Sequence, residues 1–233
     1  MNLDFLIRYI DFQIRKDGGM MNKSNVLTQL GKNGVVAVLR AKNQEEAVKM
    51  TKHLVEGGVK AIEVTFTVPN ADEVIANLVQ QYDQDSEVVI GAGTVLDSVT
   101  ARIAIMAGAK FIVSPSFDKD IAKICNLYQV PYMAGCMTIT EMTEAMKYGV
   151  EVIKVFPASV YGPSFIKAIK APLPQANIMP TGGVNLDNIK EWLTNGAVAV
   201  GVGGNLVTLD DEGYEGITRR AEAYMKAYRE VRG

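Results

Sequence analysis

At 233 residues, 48% hydrophobic and 21% charged, the chain is long enough for one α/β domain with a full core, and α/β barrels commonly reach this size undivided. A net charge of −2 gives no electrostatic pull toward nucleic acid or an anionic membrane, and no apolar run approaches membrane-spanning length. One histidine, His53, excludes a multi-histidine zinc site; the two cysteines, Cys125 and Cys136, lack metal-ligand spacing and fit reduced thiols in a cytoplasmic protein.

The first twenty residues stand apart. Leu3 to Ile10 is amphipathic, charged residues and Gly18-Gly19 follow, and no secretory cleavage pattern is present. Residues 1–20 read either as a short accessory helix or as an extension from a start codon upstream of Met20 or Met21. The second is expected, because the domain-like pattern begins only after Met21.

From residue 22 to 31 a short helical segment leads into a strand at 35–40. Asn43 caps a helix to about Glu56, with Glu46 at the capping-box position and Gly57-Gly58 ending it. Then come a strand at 61–66, a helix at 70–82, and a strand at 88–90 that enters a turn, Gly91-Ala92-Gly93-Thr94. A helix from Ser98 to near Gly108 precedes a strand at 111–114, which stops at Pro115. A helix at 118–128, a strand at 132–134 and a helix at 140–148 lead to the strand around Lys154. Beyond it lie a helix at 163–170, a strand at 177–179, a helix at 185–194, a strand at 198–202 and a last helix at 214–229. The strands are uniformly apolar, as expected when both faces are covered. Eight strand–helix units predict a closed (β/α)8 TIM barrel, an α/β fold forming a single domain over residues 21–233.

In such a barrel the site lies at the C-terminal ends of the strands, so polar residues within or just after strands are the candidates. Lys154 sits in the middle of Val152-Ile153-Lys154-Val155-Phe156-Pro157. Burial there disfavours the charged form, which predicts an amine partly neutral near pH 7 and nucleophilic toward a carbonyl. Glu63 is a carboxylate inside Ala61-Ile62-Glu63-Val64-Thr65, and burying it alone would be costly. The two are expected to face one interior, as a catalytic couple or as a structural ion pair. Arg40 closes the first strand, placed for a substrate anion or for a rim salt bridge. Thr94 follows the glycine turn, where it would hold a carboxylate or simply link strand to helix. Gly182-Gly183 and Gly203-Gly204 follow the seventh and eighth strands, the usual phosphate position in these barrels. His53 reads as a solvated helix residue; Cys136 and Met137 read as packing.

Taken together, Ile62-Glu63-Val64-Thr65, Gly91-Ala92-Gly93-Thr94, Ser114-Pro115, Ile153-Lys154-Val155-Phe156-Pro157, Pro180-Thr181-Gly182-Gly183-Val184 and Val202-Gly203-Gly204 resemble a class I aldolase family. It is that of 2-keto-3-deoxy-6-phosphogluconate (KDPG) aldolase and 2-keto-4-hydroxyglutarate (KHG) aldolase, and the resemblance spans residues 34–207. It implies Lys154 as the Schiff-base lysine and Glu63 as general acid and base. Arg40, Thr94, Pro115, Phe156 and Thr181 would surround the keto acid, with Gly182, Gly183, Gly203, Gly204 and Asn205 at the phosphate. Members are typically homotrimers that use no metal and no organic cofactor. The implied reaction is reversible cleavage of a 2-keto-4-hydroxy acid, phosphorylated or not, to pyruvate and glyceraldehyde 3-phosphate or glyoxylate. The chain departs from the family at Thr67, where some members carry a carboxylate-binding arginine; Arg40 is the expected replacement. It departs again at Asn205, where some have serine. Alternative readings are an aldolase for another acid, such as the phosphogalactonate analogue, and a catalytically silent sugar-phosphate-binding barrel.

Overall fold

Strands that are apolar at both odd and even positions must be covered on both faces, and the computed structural model shows what covers each. It describes residues 22–233; the extension at 1–20 and the start at Met20 or Met21 lie outside the described residues. Helix α1 (Asn22–Asn33) precedes β1 (Val35–Leu39). Strands β2 (Ala61–Thr65), β3 (Val89–Gly93), β4 (Ile112–Val113), β5 (Tyr132–Cys136), β6 (Val152–Val155), β7 (Ile178–Pro180) and β8 (Val200–Val202) follow. All pair in parallel, in the order β7-β6-β5-β4-β3-β2-β1-β8. The ring is completed by a parallel bridge from Thr181 to Gly201 and by the Val198 N–H donating to the Ile178 carbonyl at 2.9 Å. This is the (β/α)8 barrel the strand–helix alternation predicts.

Side chains alternate along each strand, and the alternation sorts the core in two. One parity, with Ala37, Ile62, Ala92, Ile153 and Val200, packs outward against the helices. The other points into the barrel. Its lowest layer, including Val36, Ala61, Phe111, Met133 and Met179, is apolar and meets Val26 and Leu30 of α1, which plugs that end. Each such side chain fully buried contributes about 1.5–3 kcal/mol. Higher in the same column, toward the C-terminal strand ends, the inward positions change character: Glu63, Gly93, Lys154, Thr181 and Gly201.

The helices between strands are α2 (Gln44–Glu56), α3 (Ala71–Gln81), α4 (Ser98–Met106), α5 (Lys119–Leu127), α6 (Ile139–Lys147), α7 (Ser164–Lys170) and α8 (Ile189–Thr194). After β8 come a single turn, α9 (Gly204–Val207), and the long α10 (Gly213–Arg232). Among the described residues no helix is long and apolar enough to cross a membrane. Asn43 caps α2 by accepting the Glu46 N–H at 2.9 Å, but Glu46 answers to the Lys42 N–H at 2.5 Å, one residue before the box position. A full capping box forms instead at Thr138 and Glu141, on α6.

Two expectations change. His53 is not solvated: its Nδ1 lies 2.9 Å from the Thr218 hydroxyl, and its ring stacks on Tyr214 at 5.6 Å, because α10 packs over α2. The Gly91-Ala92-Gly93 stretch is not a turn but part of β3, paired with Glu63, Val64 and Thr65. Its glycines are there for space. A Cβ on Gly91 would lie 2.4 Å from the Phe111 ring, and one on Gly93 would lie 2.0 Å from Oε1 of Glu63.

Candidate active site

β2 and β6 stand on opposite sides of the eight-stranded ring, so inward side chains from them meet across the lumen. Glu63 pairs with Val38 and Gly91 in the sheet, and Lys154 with Gly135 and Met179, which places both on the inward parity. Their charged atoms approach to 3.5 Å, Nζ to Oε1, with side chains 6% and 0% exposed. Neither carboxylate oxygen of Glu63 has a well-aligned hydrogen-bond partner among the described residues. Burial is the main influence on Glu63 and pushes its carboxyl above the usual carboxylate range; the Lys154 and Arg40 charges pull the other way and only partly offset it. A carboxyl so placed can hold a proton and later accept one. The Lys154 amine lies 5.3 Å from the Phe156 ring centroid.

Above this pair opens a cavity of about 210 Å³ at the C-terminal strand ends. Arg40, Thr94, Pro115, Lys154, Phe156, Thr181, Gly182, Gly183, Gly203, Gly204 and Asn205 line it, together with Val38, Val184 and Gly201. The structure therefore brings together around one cavity every candidate site residue the sequence selects except Glu63. Glu63 is fully buried behind the wall, 3.5 Å from the amine that does line it. A larger space of about 350 Å³ lies against α1, walled by residues such as Asn25, Tyr82 and Asp85. Neither Lys154 nor Glu63 is in its wall, and size alone gives it no chemistry.

The two ends of the cavity differ. On one side Thr94 leaves β3 with φ 56°, a left-handed conformation that a β-branched residue adopts at a cost of about 1–3 kcal/mol. Pro115 follows the neighbouring β4, while the Phe156 ring lies beside Gly182, 3.5 Å from where a Cβ on that glycine would stand. On the other side Gly182 and Gly183 take φ 87° and 85°, which only glycine enters freely, and Gly203 and Gly204 follow β8. Arg40 belongs to this second end: its Nη1 would be 3.6 Å from a Cβ on Gly203. No rim salt bridge to Arg40 forms among the described residues. Thr67 does not line the cavity; its hydroxyl is 2.7 Å from that of Thr65, which donates to the Leu39 carbonyl at 3.0 Å. Asn205 spends one amide N–H on the Val184 carbonyl at 2.9 Å, leaving the other for a ligand. Thr181 is 5% exposed with a hydroxyl that has no partner among the described residues.

Sequence reasoning passes over Val38 and Gly201 and takes Gly93 only as part of a turn. Val38 and Gly201 share a parity with Arg40 and Gly203, which it does select, and a glycine inside an apolar strand is itself a sign of close approach. Gly201 gives room to Thr181, whose Oγ1 would lie 2.2 Å from a Cβ there. Gly93 does the same for Glu63. Gly93→Ala is expected to lower kcat/KM on the order of 10- to 100-fold by displacing the carboxylate, and to destabilise by about 1–3 kcal/mol. Steady-state kinetics and thermal melting check this, with Gly31→Ala in open space as control; unaltered kinetics in Gly93→Ala would contradict it.

Comparison with known proteins covers the stretch of chain that carries these residues. The family model for KDPG and KHG aldolase matches residues 26–220. The 2-dehydro-3-deoxy-6-phosphogalactonate aldolase of Escherichia coli K12 is 31% identical over 198 residues, covering 84% of this chain and 95% of that protein. The KHG/KDPG aldolase of the same organism is 33% identical over 192 residues, 80% of this chain and 88% of that one. Among solved structures, the KDPG aldolase of Legionella pneumophila, with pyruvate captured at low pH as a covalent carbinolamine intermediate, superposes with a TM-score of 0.77 at 27% identity. It covers 88% of this chain and 98% of its own. A barrel matched over nearly its whole length, with an amine and a carboxyl buried face to face in its lumen, leads to one conclusion: the chain belongs to the KDPG and KHG aldolase family of lyases.

Proposed function

We propose that the protein is a class I aldolase that reversibly cleaves a phosphorylated 2-keto-4-hydroxy acid to pyruvate and an aldehyde through a Schiff base on Lys154. The observation that carries this reading is the 3.5 Å approach of Lys154 to Glu63 across the lumen, at the floor of a cavity whose far end is built from glycines and Arg40. The free amine of Lys154 adds to the C2 ketone of the substrate, forming a carbinolamine. Glu63, holding a proton because it is buried, gives it to the departing C2 hydroxyl, and water leaves. The iminium that remains is an electron sink. Glu63, now a carboxylate, takes the C4 hydroxyl proton directly or through one water; the C3–C4 bond breaks and its electron pair enters the iminium. The resulting enamine takes a proton at C3, and hydrolysis releases pyruvate and regenerates the amine.

Thr94 and Pro115 would hold the carboxylate end, the Phe156 ring would pack against the keto acid near Lys154, and the Thr181 hydroxyl, without a partner among the described residues, would meet a substrate hydroxyl. Arg40, expected from the sequence to grip the carboxylate, is here assigned to the phosphate with Gly182, Gly183, Gly203, Gly204 and Asn205, because of where its guanidinium lies. The protein is further proposed to act as a cytoplasmic homotrimer without metal or organic cofactor. Exposed apolar side chains on and beside α4, Leu96 at 62% and Val99 at 69%, support an assembly of copies.

A coupled assay for pyruvate over KDPG, its galactonate epimer and KHG tests the activity and ranks the substrates. The epimer stays in the panel because a phosphogalactonate aldolase is among the relatives matched over most of their length. Release from none of them would defeat the reading. Arg40→Gln is expected to raise KM for the phosphorylated acid by about tenfold with a smaller change in kcat. An unchanged KM would remove Arg40 from the phosphate end.

A further inference from the structure

The stretch that carries Gly203, Gly204 and Asn205 into the cavity is held from outside by one side chain, Arg220 of α10. Its Nε donates to the Leu206 carbonyl at 3.1 Å, Nη2 donates to the Thr208 carbonyl, and Nη1 pairs with Asp210 at 2.6 Å. These acceptors all lie in the few residues immediately after Asn205, and the two carbonyls lie at the end of α9, where no helical donor reaches them. A guanidinium offers its donors in a fixed planar fork, so three bonds set the orientation of the segment as well as its position. Asn205 then carries that placement to the other glycine pair through its bond to the Val184 carbonyl. Arg220 itself does not line the cavity.

We infer that Arg220 is a positioning residue for the substrate's phosphate: it fixes where the backbone of 203–205 stands relative to the Gly182-Gly183 turn. The inference rests on the phosphate reading given above. Docking of α10 does not depend on Arg220, because Ile217, Ala221 and Tyr224 are buried in the core on their own account. Its role is therefore separable from the fold.

The test uses the full chain with Arg220→Met, which keeps the apolar stem, and Arg220→Lys, which keeps the charge but lacks the fork. Cleavage is measured on the phosphorylated acid the wild type prefers and on the same acid without phosphate, alongside inhibition by inorganic phosphate and thermal melting. Both variants are expected to raise KM for the phosphorylated acid, and Ki for inorganic phosphate, on the order of tenfold. Values for the unphosphorylated acid should stay within about twofold, since they owe nothing to the phosphate contact. Asp210→Asn, at an exposed partner, should shift the same two constants in the same direction by less, and keeps the test open if Arg220→Met fails to fold. Equal losses on both acids, or no change on either, would overturn the role. A wild type that neither prefers the phosphorylated acid nor is inhibited by phosphate would defeat the phosphate reading itself, and the role of Arg220 with it.

Discussion

Lys154→Met abolishes aldol cleavage, with kcat lowered by at least about 10⁴-fold, while the barrel stays folded. Methionine is close to lysine in length and fills the lumen without the amine, so lost chemistry is separated from lost packing. The variant leaves Glu63 fully buried with its nearest cation gone. Removing one member of a buried pair costs about 3–5 kcal/mol when the other stays charged, but a carboxyl can escape that cost by keeping its proton. The sign follows from Glu63's raised pKa. A raised group contributes stability that is fully present below its unfolded value, near 4.3, and is lost as pH rises through its folded value. Without the Lys154 charge to pull that value down, the loss continues to higher pH. Thermal melts of wild type and variant between about pH 5 and 8 should therefore diverge as pH rises. Parallel curves, or residual imine-dependent cleavage, would contradict the pairing.

Glu63→Gln keeps shape and burial but removes the proton carrier, and kcat is expected to fall by about 10²- to 10⁴-fold. The stage at which it stalls is informative. An amide cannot hand a proton to the departing C2 hydroxyl, so substrate should gather before the iminium rather than after it. In the wild type, the limb of the kcat/KM profile that belongs to Glu63 should lie above the ordinary carboxylate range, because burial raises it. In the glutamine variant that limb should vanish. A profile unchanged in shape would show that some other group moves the protons.

Much of the architecture was legible because strand parity and helix caps are local. Lys154 and Glu63 stood out as charges inside apolar strands, although no local pattern could say that β2 and β6 face each other closely enough to bring them to 3.5 Å. The glycines of β3 misled for a physical reason: two glycines ending an apolar run look like a turn, whereas here they make room for Phe111 and for Glu63 from neighbouring strands. Arg40 could be placed at a strand end but not at one end of the cavity, since that depends on β1 lying beside β8. The contacts of His53 and Arg220 are made by or with α10, far away in sequence, and α9 is a single turn, too short to show a period.

Reduction with borohydride in the presence of pyruvate, followed by peptide mass spectrometry, addresses the central claim most directly. A lumen amine that forms an imine with pyruvate should be fixed as a three-carbon secondary amine on Lys154, with activity lost in proportion to labelling. Full activity surviving the treatment with Lys154 unmodified, or labelling at another lysine, would contradict it.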